Sequence, residues 1–183
     1  DCLFDVGANR GQYATMARKD AGYRGLILSF EPNPAVFAEL EKRAASDRQW
    51  HVFNMALSDF DGTASFNIMA ADQFSSLKKP SDAQDAIFAD RNKVTATVEM
   101  QCRRLDALLP ELMTQHGFAR PFLKMDTQGH DMAVCEGAGD VLGRMLGVQT
   151  ELGVRPIYED GTNYRAMIDW LAARGFVPSA FFA

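Results

Sequence analysis

Cysteine is scarce in this chain: 183 residues contain three, Cys2, Cys102 and Cys135. An odd number cannot close a full disulfide framework, and no two of them have the close spacing of zinc ligands. Cys2 and Cys102 fall in strand-like runs and Cys135 in a helix-like one, so buried thiols in a reducing cytosol are expected. Positive charge is also short, with 19 Lys and Arg against 24 Asp and Glu, a net charge of −5. The basic residues are scattered, which leaves nucleic acid no electrostatic footprint. No window approaches the roughly 18 consecutive apolar residues of a transmembrane helix, and no signal peptide opens the chain. There is no Asn-x-Ser/Thr sequon. The expectation is a cytoplasmic protein with neither a membrane nor a nucleic-acid partner; the oligomeric state is left open. Also missing are a Gly-x-Ser-x-Gly serine elbow, a Gly-x-x-x-x-Gly-Lys phosphate loop, a zinc-spaced His/Cys cluster, tandem repeats and low-complexity segments. No metal site is assigned.

What is present fits one domain over residues 1–183, with 47% apolar residues and nine methionines to fill its core. The chain opens directly on a strand and stops within the apolar run Phe176 to Phe182, as expected of a piece lacking parts of both ends of a longer protein.

The strongest signal lies at the start. Cys2-Leu3-Phe4 runs into Asp5-Val6-Gly7-Ala8-Asn9-Arg10-Gly11, and a helix-like segment follows. About twenty residues on, a second apolar strand, Leu26 to Phe30, ends in Glu31-Pro32-Asn33-Pro34. Closely spaced glycines let backbone approach a ligand, and an acid after the second strand suits ribose hydroxyls. The dinucleotide fingerprint wants glycine where Asn9 stands and a third small residue where Gln12 stands, so a pyrophosphate cradle is poorly supported. A nucleoside cofactor without phosphates, such as S-adenosylmethionine, fits better. Asp5 would serve its ammonium, the N–H groups from Gly7 to Gly11 its carboxylate, and Glu31 its ribose.

Strands and helices then alternate as in a mostly parallel sheet with helices on both faces, a three-layer α/β/α sandwich. Strands are expected at 2–6, 26–31, 51–55, 121–126, 146–151 and 176–182. Helices are expected at 11–20, after Asn33 as cap and Pro34 as first residue, at 105–116, 128–138 and 164–174. The rhythm breaks between 56 and 103. Residues 56–68 read as a hairpin around Asp61-Gly62, residues 69–93 are polar and irregular, and 94–103 resume strand alternation. Long irregular inserts in compact domains tend to be lids or binding loops.

Five motifs occur in order: Asp5-Val-Gly-Ala-Asn-Arg-Gly11, Phe30-Glu-Pro-Asn-Pro34, Ala56-Leu-Ser-Asp59 with Asp61-Gly62, Ser75-Ser-Leu77, and Leu123-Lys-Met-Asp-Thr-Gln-Gly-His-Asp131. Together they resemble the FkbM-type S-adenosylmethionine-dependent methyltransferases, over nearly the whole chain. That resemblance implies a Rossmann-like class I fold whose seventh strand is antiparallel, and S-adenosylmethionine-dependent methyl transfer. It does not identify the acceptor, for which an oxygen of a sugar, polyketide or other small metabolite is the leading expectation. Ala8, Pro32, Ala56, Leu57 and Ser58 would join Asp5, Gly7, Asn9, Gly11 and Glu31 around the cofactor. This chain departs from most relatives at Gln128, where Glu is usual, and at His130-Asp131. Both changes lie beside the expected substrate cavity.

Ligands in such sheets sit beyond the carboxyl ends of the strands, where Asp5, Glu31, Asp126 and Glu151 fall. Asp126 and His130 are the catalytic candidates, the second because an ordinary imidazole titrates near neutrality. Asp126 could equally cap the following helix, and His130 could be a surface residue of its first turn. Ser75, Ser76, Glu151 and Tyr158 are the candidates for the acceptor pocket, with Arg155 and Glu159 nearby. Two other readings stay open at this point: a nicotinamide-dependent oxidoreductase or epimerase, which lacks a Tyr-x-x-x-Lys pair here, and a binding domain without turnover.

Overall fold

The computed structural model of the chain describes residues 1–82, 84–154 and 157–181. Its strands are β1 (Cys2–Val6), β2 (Leu26–Phe30), β3 (Trp50–Phe53), β4 (Ala56–Leu57), β5 (Gly62–Met69), β6 (Val94–Arg103), β7 (Pro121–Met125) and β8 (Val148–Gln149). Its α-helices are α1 (Gln12–Lys19), α2 (Pro34–Ala44), α3 (Ala86–Ala89), α4 (Leu105–His116), α5 (Asp131–Ala138) and α6 (Tyr164–Ala172). A five-stranded sheet in the order β3-β2-β1-β7-β8 forms the centre, and every pairing in it is parallel.

All five residues of β1 and of β2 are buried, as a sheet covered on both faces requires. Alternation then sends successive side chains to opposite layers. Leu3 and Ile27 pack against Ala14 and Ala17 of α1 and Leu40 and Ala44 of α2. Phe4, Val6, Leu28 and Phe30 pack against Leu105, Leu109 and Leu112 of α4, Val134 of α5 and Met167 of α6. Phe4 stacks on Phe30 and Phe30 on Phe53, with centroids 5.9 and 5.0 Å apart. Burying such a side chain fully contributes about 1.5–3 kcal/mol, so this layer fixes where the strand ends fall. The three cysteines are buried and unbridged, Cys2 and Cys135 in the second of these layers and Cys102 with Ala56, Phe66 and Met100.

Local signals position the helices. The Asn33 side chain accepts from Ala35 N at 3.1 Å, with Pro34 at the first helical position. Gly117, at φ 70°, closes α4. In α1 the inner face is Ala14 and Ala17, while Met16 stays 39% exposed.

The break in rhythm becomes a second sheet, in the order β4-β6-β5. The expected hairpin between 56 and 68 does not form. Both of its strands pair with β6 instead, β4 in parallel and β5 antiparallel. Asp61 explains the difference: its Oδ1 accepts from Arg103 Nε at 3.1 Å and Arg104 N at 3.0 Å, which ties the turn to the end of β6. Two further strand expectations change. The strand at 146–151 shortens to Val148–Gln149, and residues 176–181 form no strand, with Val177 84% and Phe181 71% exposed. Phe182 and Arg155 lie outside the described residues. Among the described residues, no helix is long and apolar enough to cross a membrane.

Candidate active site

The carboxyl ends of β1, β2 and β7 open onto a cavity of about 770 Å³. The loop after β1 forms one wall. Gly7 is there for the protein's own packing: at φ 71°, a Cβ on it would lie 1.9 Å from the carbonyl oxygen of Asp126. Gly11, at φ 78°, would strike the Trp50 ring at 2.7 Å, and it does not line the cavity. The loop amides differ from expectation. Gly7 N and Ala8 N both donate to Phe30 O, at 3.1 and 3.0 Å, and Gly11 N to Ala8 O at 2.8 Å. Asn9 N donates to Glu31 Oε2 and Arg10 N to Asn9 Oδ1, each at 2.8 Å. All five N–H groups expected to receive a ligand carboxylate already have acceptors inside the protein.

Glu31 lines the cavity beside this loop and is only 6% exposed. Its Oε2 accepts from Asn9 N and its Oε1 from Asn33 N at 2.8 Å, so the carboxylate is held by backbone on two sides. Burial pushes its pKa up to about 7, against the lowering effect of those two bonds. Each oxygen keeps a lone pair for a hydroxyl. Ala8 and Pro32 line the same end, and Phe30, Met55, Ala56, Leu57 and Phe66 make an apolar wall next to them.

Asp5 does not reach the cavity. It is completely buried, and its Oδ1 accepts from Lys124 Nζ at 2.9 Å, the residue opposite it in the β1–β7 register. Lys124 does reach it. Its ammonium lies 5.2 Å from the centre of the Tyr13 ring, a cation–π contact, and Tyr13 OH donates to Gln149 Oε1 at 2.6 Å. The Asp5 carboxylate holds Lys124 cationic against the opposing pull of burial.

Beyond β7 and β8 the side chains converge. The Gln128 amide donates to Asp126 Oδ1 at 2.6 Å and to Glu151 Oε2 at 3.1 Å, bridging two carboxylates. Its Oε1 accepts from Tyr158 OH at 3.0 Å. Gln128 holds a left-handed conformation, φ 54°, to do so. Buried Asp131 sets the spacing beneath: Oδ1 accepts from Thr127 N at 2.8 Å and from the Thr127 hydroxyl, and Oδ2 from Thr150 Oγ1 at 2.8 Å and Glu151 N at 3.2 Å. Burial first, then the neighbouring Asp126 and Asp131, push Glu151 up to about 7. Asp126 and Glu151 both line the cavity. Tyr158 does not; it lines an adjoining cavity of about 320 Å³, which shares Gln128, Glu151 and Ile157 with the larger one.

His130 lines the cavity but turns its ring nitrogens elsewhere. Nε2 lies 3.0 Å from Ser58 Oγ, and Ser58 donates to Asp59 Oδ1 at 3.0 Å. Ser58 therefore accepts from Nε2–H, leaving Nδ1 as the bare nitrogen. Nδ1 is enclosed and has no partner among the described residues. Burial, and after it the charge of Lys78, pull the pKa down to about 4. The ring is neutral, enclosed and unsuited to meeting a hydroxyl in the cavity. Ser58, expected at the cofactor, is fully buried behind the wall.

The insert covers the cavity through Asp72, Gln73, Phe74, Ser75, Leu77 and Phe88. Arg10 forms an ion pair with Asp72, and the Tyr158 hydroxyl shares its one proton between Gln128 Oε1 and Phe74 O, the latter at 2.9 Å. Ser75 lines the cavity, with its Oγ accepting from Met69 N at 3.1 Å. Ser76 does not line it: it is 1% exposed and donates to Gln128 O at 2.8 Å, tying the insert to the turn after β7.

Comparison with known proteins agrees with this layout. The family model described as Methyltransferase FkbM domain matches residues 5–178. The chain belongs to the FkbM methyltransferase family. No curated protein matches it. Among solved structures, the methyltransferase FkbM from Methylobacillus flagellatus KT aligns with a TM-score of 0.58 at 12% identity. The alignment covers 94% of this chain and 37% of that one, so the FkbM chain described here spans little more than a third of its neighbour's length. At that identity the likeness shows the Rossmann-like fold alone.

Sequence reasoning missed Lys124 and Tyr13 as cavity residues of this FkbM domain. Lys124 sits one residue ahead of the Met125-Asp126 strand end, and a lysine within an otherwise apolar strand is the signal that could have marked it. The Gln128 bridge is only partly local: Asp126 lies 2 positions away, but Glu151 and Tyr158 lie 23 and 30 positions away.

Proposed function

We propose that this chain binds S-adenosylmethionine in the larger cavity and transfers its methyl group to an oxygen of a small-molecule acceptor. The observation that carries the reading is the pairing, within one cavity, of the buried Glu31 carboxylate beside an apolar wall with the Asp126–Gln128–Glu151 cluster. The residues fit such a ligand: a diol acceptor at Glu31, a flat apolar surface from Phe30 to Leu57, and charged groups at the far end. When bound, the cofactor supplies an electrophilic methyl on a sulfonium.

The chain's own groups do the rest. Displacement at that methyl needs the acceptor oxygen in line behind it, so positioning supplies much of the catalysis. Asp126 and Glu151, held together by the Gln128 amide, flank the place where an acceptor hydroxyl would enter from the adjoining cavity. Glu151 is the favoured base. Its pKa near 7 lets it take a proton at neutral pH, whereas His130 presents no free nitrogen to the cavity. The insert would exclude water once both ligands are bound, and ordering of residues 69–93 is expected as amide exchange slowed by product and acceptor. Calorimetry with S-adenosylhomocysteine and, separately, NAD tests the reading: micromolar affinity for the first and none for the second is the expected result. The reverse would return the chain to the nicotinamide class.

A further inference from the structure

We propose that Lys124 is the cationic partner of the carboxylate at the amino-acid end of the cofactor, and that Asp5 is its positioning residue rather than a ligand contact. This rests on the S-adenosylmethionine reading above. In a loop that opens a helix, backbone N–H groups are the ordinary acceptor of a ligand anion. Here the five amides from Gly7 to Gly11 are all occupied within the protein. A carboxylate entering this end of the cavity needs another donor.

Lys124 is the cation placed to provide it. It lines the cavity, yet only 6% of it is exposed, so its ammonium is held in place rather than free to wander. An ammonium has three protons. Asp5 Oδ1 takes one at 2.9 Å, and Gly7 O, at 3.4 Å, takes another weakly. A third remains for a ligand. Tyr13 fixes the lysine from the side, and Asp5, being completely buried, keeps it charged.

The neighbouring charges select the ligand class. Asp126 and Glu151 stand beside Lys124 on the same edge, close enough for each to act on the other's charge. A cation next to Asp126 complements a zwitterionic α-amino acid, carboxylate to Lys124 and ammonium to Asp126, which leaves Glu151 for the acceptor. A pyrophosphate would bring two negative charges against those acids and gain one cation. The same arrangement that welcomes an amino-acid tail therefore opposes a dinucleotide.

The test uses three probes in calorimetry: S-adenosylhomocysteine, its decarboxylated analogue, which keeps the ammonium, and 5′-methylthioadenosine, which has no amino-acid tail. With the natural chain, loss of the carboxylate is expected to weaken binding about 10–100-fold, the scale of a charge-assisted hydrogen bond. In Lys124→Gln that difference should shrink to less than about threefold, while 5′-methylthioadenosine binds both proteins alike. Should Lys124→Gln leave Asp5 unpaired and fail to fold, Asp5→Asn with Lys124→Gln removes both charges together and gives the same comparison. Equal affinity of the natural chain for S-adenosylhomocysteine and its decarboxylated analogue would overturn the assignment while leaving the cofactor reading intact. So would an equal loss of 5′-methylthioadenosine affinity in the variant, which marks a structural role. Failure of all three probes to bind would overturn the cofactor reading itself.

Discussion

The two ends of the cavity are built differently. At the Glu31 end, backbone does the holding: two main-chain N–H groups fix the carboxylate, and the loop amides beside it close on carbonyls of β2 and of the loop itself. At the Glu151 end, side chains hold one another: Gln128 bridges Asp126 and Glu151, Tyr158 supports Gln128, and Asp131 braces both strand ends. A backbone-built end is rigid and tolerates little change in the chain path. An end built from side chains can shift a proton or swap a partner without moving the fold. Ligand recognition suits the first, and chemistry the second.

The largest expected break in that contrast is Glu151→Gln. It removes the proton acceptor and leaves the backbone-built end untouched. Turnover should fall about 10²–10⁴-fold, the usual worth of a general base. The affinity for S-adenosylhomocysteine should stay within about threefold, less than 1 kcal/mol. In the natural chain, kcat should decline as pH drops through about 7, because a protonated Glu151 cannot accept a proton. Retention of more than a tenth of the activity by the variant would move the base to Asp126.

The same division explains how much the sequence could tell. The Asp5 to Gly11 and Phe30 to Pro34 segments announce a strand, a tight loop, a helix and a strand-end acid because each feature is local. The Asn33 cap and Pro34 follow from their own conformational preferences. The roles within those segments were less legible. Asp5 looks like a ligand contact until the β1–β7 register sets Lys124 opposite it, a pairing across 119 positions. The loop amides look free until Phe30, Glu31 and the loop itself supply their acceptors. The hairpin around Asp61-Gly62 looked self-contained, and it failed because β6, some thirty residues further on, lies between its two strands. Local preference fixes the elements; which side chain meets which cavity is decided by the packing of elements far apart in sequence.

A smaller effect is expected at the rigid end. Glu31→Gln keeps the shape but offers one acceptor where two stood, and turns an amide N–H₂ toward Asn9 N or Asn33 N. Cofactor affinity should fall by about 1–3 kcal/mol, measured by calorimetry. The stability of the free protein should respond in the opposite sense at high pH. Glu31 has a folded pKa near 7, above the ordinary carboxylate value of 4.5. Between those limits the folded state binds the extra proton, so its contribution is fully present below about 4.5 and lost as pH rises through 7. In Glu31→Gln that slope in the pH dependence of thermal unfolding should diminish, the remainder coming from Glu151, whose pKa is raised over the same range. A slope unchanged from the natural chain would assign it to the other acids with raised pKa values, Glu151 and Asp131.

The smallest effect on turnover is expected from His130, the residue whose type alone most resembled a base. Its Nε2 is engaged by Ser58, its Nδ1 is enclosed, and its pKa sits near 4. A neutral imidazole with no nitrogen facing the cavity is part of the wall. His130→Phe keeps an aromatic face there and removes the bond to Ser58, whose hydroxyl still donates to Asp59. The loss should appear as stability, about 1–3 kcal/mol for the polar partner left buried, with kcat reduced less than about tenfold. The pH profile then discriminates between the two ends of the cavity. If the inflection near 7 survives in His130→Phe and disappears in Glu151→Gln, the proton leaves through the flexible carboxylate cluster. If it disappears in His130→Phe instead, the ring must turn a nitrogen into the cavity during the reaction, and the wall is less rigid than its hydrogen bonds imply.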